Sequence, residues 1–215
     1  MPREQVAKVL LRDRLCASDW LIIQAHDLAV LAAETRKATL LVYAALEARN
    51  AIEQLWFDIL LILHRGEVTM QFVEEVRRRR DGVLAAIRSA APEYRKLVTF
   101  SALCMQSDSR RPVDLIEWDI RRLKKWWHAL SSYCHAQLEP VTTLNSDDWF
   151  DAGIVLVNEV FTYFRHHMSQ GATGIIRVDD MNEAARLVWD EFVADVITEE
   201  QAFIRLQLVR PAKPK

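Results

Sequence analysis

Apolar side chains recur along this chain at three- and four-residue intervals, the spacing that lays one face of an α-helix over a core. The pattern predicts a first helix over residues 3–15, with Val6, Val9 and Leu10 on one face. A second is capped by Ser18-Asp19 and runs to about Ala33. From Thr35 to His64 there is neither Gly nor Pro, and Gly66 follows as a stop. Leu40, Leu41, Leu46, Ile52, Trp56 and Ile59 spread over most of the circumference of that stretch, which predicts a long central helix packed on several sides. Thr69 caps a fourth helix reaching Ala91, with Gly82 as its weak point, and Pro92 opens a fifth that ends near Gln106. After a loop at 107–109, Pro112 opens a sixth helix ending near Leu138, and residues 145–148 cap a seventh that Gly171 terminates.

The remainder reads differently. Residues 174–178 and 203–209 have strand character, so a small two-stranded C-terminal ribbon competes with a helix through Arg205. Between them, residues 179–193 read as a helix capped by Asp179 or Asp180. The fold class is therefore all-α: a multi-helix bundle of about seven helices around a long central one. With no repeat and no flexible linker, residues 1–215 read as a single helical domain, a bundle core over about 18–170 and an appendage over 171–215.

Composition narrows this picture. Five Gly and six Pro are too few for a turn-rich β fold. A net charge of −2 disfavours binding nucleic acid through bulk charge and leaves a local basic patch as the route to it. Cys16, Cys104 and Cys134 are odd in number and far apart, and read as small buried hydrophobes in a reducing compartment. The N-terminus carries no apolar signal segment, and no run approaches the ~20 apolar residues of a membrane span. The expectation is a cytoplasmic protein without a membrane partner.

Candidate chemistry concentrates on the sixth helix. Leu115, Leu123, Trp126, Trp127, Leu130, Tyr133 and Cys134 form its apolar side, while Glu117, Arg121, Lys125, His128, Ser132 and His135 line up on the other. A solvated helix face explains such a stripe most simply. Two histidines a heptad apart beside cations and a serine also suit general-base chemistry near neutral pH. On the central helix Glu47, Asn50, Gln54 and Asp58 form a polar row, with Arg49 and Glu53 as an adjacent pair. This row either ties helices together through a buried network or faces the histidine stripe across a groove.

Other features carry less. His26-Asp27 lacks the earlier histidine of metal phosphohydrolases, and His166-His167 suit the dipole at a helix end. The Arg77–Arg80 run reads as a solvated face. There is no Glu-x-x-His pair, no His-Glu-x-x-His and no glycine-rich phosphate loop, so no metal or cofactor is expected.

The central segment Leu46-Glu47-Ala48-Arg49-Asn50-Ala51-Ile52-Glu53 and the later Leu130-Ser131-Ser132-Tyr133-Cys134-His135 together resemble bacterial HEPN-type helical proteins. Many of that family are RNases of toxin–antitoxin or phage-defence systems, marked by an Arg followed after four to six residues by a His. Arg122-x5-His128 and Arg121-x6-His128 match that spacing. The family usually places a polar residue directly after the Arg; here Arg121 is followed by Arg122, and Arg122 by Leu123. His135 has no Arg at the required distance.

The resemblance spans roughly residues 20 to 170 and implies a homodimer whose paired sites cleave RNA without a metal. Arg121, Arg122, His128 and His135 would then be the catalytic candidates, and Glu47, Asn50, Glu53, Lys125 and Ser132 the supporting or binding residues. Some members are non-catalytic partners. A second function class is therefore a non-enzymatic helical interaction module, binding a protein partner or antitoxin, and a third is a small-molecule binder built on the seven tryptophans.

Overall fold

The computed structural model describes residues 17–78, 82–109, 111–135 and 146–209. Nine α-helices occur among them, more than the seven expected: α1 (Ser18–Thr35), α2 (Ala38–Leu63), α3 (Met70–Arg78), α4 (Gly82–Ala90), α5 (Tyr94–Ser109), α6 (Ile120–Cys134), α7 (Asp147–Gln170), α8 (Glu183–Val193) and α9 (Glu199–Leu208). The helix expected over residues 3–15 and the expected end of the sixth near Leu138 lie outside the described residues. The chain divides into two compact helical units, each assembled from two separated stretches. The first is built on residues 17–58 and 118–169, the second on 59–117 and 170–209.

In the first unit α1 and α2 are separated by a sharp break. Arg36 closes α1 in the left-handed conformation (φ 54°). Its guanidinium bonds Asp147 and Asp151 at the start of α7 and lies 4.2 Å over the Phe150 ring. Those contacts hold a backbone conformation that a non-glycine residue seldom adopts. The central helix α2 is as enclosed as its pattern predicts: Thr39 and Tyr43 are its only exposed residues. Ala44, Ala45, Ala48 and Ala51 on α2 are fully buried. Gly153 of α7 lets helices approach closely, because a Cβ there would sit 2.6 Å from the Tyr133 ring of α6 and 2.8 Å from Leu41 of α2. His26 of α1 stacks flat on Phe161 of α7 at 3.9 Å, with its Nδ1 3.1 Å from the Asn158 side-chain oxygen.

In the second unit Thr69 caps α3, its hydroxyl accepting from the Phe72 N–H at 3.1 Å. α5 carries Phe100, fully buried, which packs on Trp189 and Phe192 of α8. Lys96 of α5 donates to the Val193 carbonyl at 2.7 Å, a cation placed at the C-terminal end of α8. Buried Ser101 bonds outward and inward at once: its hydroxyl donates to the Leu97 carbonyl at 2.6 Å and accepts from the Ile176 N–H at 2.8 Å. His64 meets Phe72 ring to ring at 4.9 Å, and its imidazole pKa is lowered by burial and by the nearby Arg177 charge. The Cys104 thiol is pushed up to about 12, chiefly by burial.

Several sequence expectations need correction here. The two-stranded ribbon is not formed: residues 174–177 are irregular and Glu199–Leu208 is helical. Thr198 and Gln201 form a reciprocal capping box that starts α9, and Ala202 and Leu206 are buried at helical spacing. The only bridge among the described residues pairs Leu115 with Ala172. Residues 112–119 are therefore not the first turns of the sixth helix, which begins at Ile120 behind its Asp119 cap. Asn182, not Asp179 or Asp180, caps α8, and the two aspartates lie in a 3-10 turn. The expected loop at 107–109 is the last turn of α5.

Candidate functional site

Helix α6 carries most of the candidate residues, and its start explains how it is held. The Asp119 carboxylate accepts from the Arg122 N–H at 2.9 Å, while its own N–H donates to the Tyr163 hydroxyl on α7 at 2.8 Å. Leu123, Trp126, Leu130 and Tyr133 are buried at i, i+3, i+7 and i+10, which orients the whole helix. Trp127 and Cys134, expected with them, sit half-buried at the margin.

The remaining face is open. Arg121, Lys125, His128, Ser132 and His135 are all exposed, and at 100° per residue they fall within an arc of roughly 80°. Ser132 returns its hydroxyl proton to the Ala129 carbonyl at 2.6 Å, and His135 occupies the C-cap. Arg122 is also exposed but points elsewhere: its guanidinium lies 4.4 Å over Trp126 and 5.2 Å over Tyr163. These are cation–π contacts of the kind that hold an arginine in place. The two arginines of the Arg–His spacing therefore part company. Arg121 shares the face of His128, and Arg122 belongs to an aromatic cluster with Trp118, Trp126, Tyr163 and His167.

The polar residues of α2 connect to α6 chiefly through Trp127. Trp127 donates its indole N–H to Glu53 at 2.7 Å; Glu53 also pairs with Arg49 at 3.0 Å, and the Arg49 guanidinium lies 4.9 Å over the Trp127 ring. Arg49 further bonds the Cys134 thiol, whose pKa is nonetheless raised because burial outweighs the cation. The Arg49 Nε is itself buried without a hydrogen-bond partner among the described residues. Glu47 and Asn50 are half-buried on the same helix. Arg49 and Trp127 are the residues that the sequence did not single out for this site. The available signal was the i, i+4 pairing of Arg49 with Glu53, which marks a fixed ion pair but does not say what it holds.

On its exposed side the network ends at His128, whose ring meets Trp127 edge-on at 4.9 Å. One imidazole thus stands at the surface beside an indole fixed by a charged pair. The same open face carries two fixed positive charges, Arg121 and Lys125. Such a face can bind an anionic backbone and presents an imidazole to it.

His26, His64 and His167 are engaged within the fold. His167 places Nδ1 2.8 Å from the Tyr163 carbonyl and stacks on Trp118, in the last turn of α7. Of the arginine run, Arg78 pairs with Glu74 at 3.6 Å, while Arg79 and Arg80 lie outside the described residues. Among the described residues no three His, Cys, Asp or Glu side chains come together as a metal-binding group. None of their helices is long and apolar enough to cross a membrane. No protein-family model, curated protein or solved structure matches the chain.

Proposed function

We propose that this is a HEPN-like defence or toxin protein that cleaves RNA without a metal, with Arg121 and His128 as its reacting pair. The observation that carries the reading is their shared exposure on one face of α6, beside Lys125, Ser132 and His135. The resemblance to HEPN-type proteins rests on the α2 and α6 segments, and the Glu53–Trp127 bond ties these two helices together.

The chemistry follows from the residue types. His128 takes the proton of a ribose 2′-OH, and the 2′-oxygen attacks the adjacent phosphorus. Arg121 and Lys125 stabilise the added negative charge as the 5′-oxygen leaves, taking a proton from solvent water, which gives a 2′,3′-cyclic phosphate. Two copies meeting at this face would set one pair against the other and enclose the substrate, which makes a homodimer part of the proposal. Glu53 and Arg49 act as positioning residues through Trp127.

The test is expression of the protein alone, with cleavage of total RNA by the purified chain as a second readout. Wild type slows growth and cleaves. His128→Ala and Arg121→Ala lose on the order of 10²–10⁴-fold in cleavage rate and relieve the growth defect at unchanged melting temperature. His135→Ala is the comparison on the same face. Absence of any cleavage or growth defect in the wild type removes the catalytic reading.

A second reading, a non-enzymatic interaction module, is favoured by one observation. Arg122, half of the closer Arg–His spacing, is spent on packing against Trp126 and Tyr163.

A further inference from the structure

Helix α1 exposes several of its large apolar residues. Leu21, Ile22, Ala25, Ala29 and Ala32 are buried, so the inward face is mostly alanine. Trp20, Ile23, Val30 and Leu31 are 50%, 39%, 43% and 44% exposed. At 100° per residue these four fall within an arc of about 100°, diametrically opposite the buried face. A helix at a protein surface normally turns polar side chains outward, and one that is apolar all round is covered on both sides. Four large apolar side chains in one arc, a tryptophan among them, have the composition of an interface centre.

The charges on this helix identify what covers it. Asp19, Asp27 and Glu34 are exposed within the arc or at its edge, and residues 18–35 contain no Lys or Arg. An anionic membrane surface or an RNA backbone would meet three carboxylates and no cation. A second copy of the chain would fare no better, since two α1 helices related by a twofold axis set acids against acids, which destabilises a pair. The occupant must bring apolar side chains and positive charge together.

We propose that the outer face of α1 is the docking surface for a protein partner presenting an amphipathic helix, an aliphatic ridge flanked by Lys or Arg. The inference is independent of RNA cleavage: it uses no residue of α6.

A fluorescently labelled synthetic helix of Leu and Lys, with its Leu at i, i+3, i+4 and i+7, serves as the probe against the full chain. It binds saturably at one site, while the same peptide with Glu in place of Lys does not. Trp20→Ser with Leu31→Ser weakens binding at least tenfold, and so does Asp27→Lys with Glu34→Lys. The charge-reversed variant instead binds the Glu peptide. Circular dichroism and melting temperature confirm that both double variants fold, and Ile23→Ser is the milder substitute for any that does not. Binding that ignores these substitutions overturns the proposal. So does concentration-dependent self-association of the wild type that Leu31→Ser abolishes, or binding to phosphatidylcholine–phosphatidylglycerol vesicles that Trp20→Ser abolishes.

Discussion

The indole N–H of Trp127 and the carboxylate of Glu53 meet at 2.7 Å, a hydrogen bond through which α6 grips the charged pair of α2. A hydrogen bond to a charged group contributes about 1.5–3 kcal/mol when shielded. The Glu53 side chain is 43% exposed, which places this one at the lower end. Trp127→Phe and Glu53→Gln should each lower stability in urea melts. A double-mutant cycle between them should return a coupling of roughly 1 kcal/mol. Strict additivity would mean that the bond does not form in solution.

Trp56 makes the opposite case. Its ring is buried and 6.1 Å from the Trp127 ring, yet its indole N–H has no hydrogen-bond partner among the described residues. Trp56→Ala should cost ~3–5 kcal/mol through the cavity it leaves. Trp56→Phe removes an unmet donor along with some volume, so the two effects offset and the loss should stay near 1 kcal/mol. An alanine variant that melts close to wild type would contradict the burial of the ring.

Gly153 inverts the usual rule for helices. Replacing a mid-helix glycine by alanine ordinarily stabilises by about 1 kcal/mol. Here the new methyl group would stand 2.6 Å from a Tyr133 ring carbon, and overpacking of that kind costs ~1–3 kcal/mol. Gly153→Ala should therefore lower the urea midpoint at unchanged slope. A gain in stability would show that α6 and α7 stand further apart.

His64 gives stability a pH dependence whose sign is fixed. Its folded-state pKa lies below the ordinary 6.5 because burial, and then the Arg177 charge, disfavour the imidazolium. The unfolded chain therefore binds the proton first. Stability is full above about pH 6.5 and declines as pH falls from there through the depressed value. His64→Gln should flatten that part of the profile, measured as melting temperature between pH 7.5 and pH 5. An identical slope in both proteins would place the proton uptake on another group.

Much of this architecture could be read from side-chain spacing, and the failures have definite causes. The long helix through Trp56 and the stop after Gln170 follow from periodicity and capping residues alone. The alternation in 203–209 suggested a strand because short windows fit both periods. The Thr198–Gln201 capping box, three residues apart, was the better guide. Pro112 suggested a helix start, whereas Asp119 provides it, and the intervening backbone pairs with Ala172. At the candidate site, the exposed stripe from Arg121 to His135 was legible from helical geometry. The link from Glu53 to Trp127 was not, because spacing along one helix does not say which other helix lies beside it. Helical geometry already favoured Arg121 over Arg122, which lies about 120° round the helix from His128; it could not show what holds Arg122, since those rings come partly from α7.

The interleaving of the two units bears on how the chain is made. Residues 17–58 belong with 118–169, and residues 59–117 with 170–209. A polypeptide leaving the ribosome has therefore synthesised α1 and α2 long before the α6 and α7 that complete their unit exist. The second unit waits longer still, for α8 and α9. No cut between residues 58 and 170 releases an intact half. During translation the apolar faces of the early helices lack their later partners until α6 and α7 have been made, the interval in which a nascent protein most needs a chaperone.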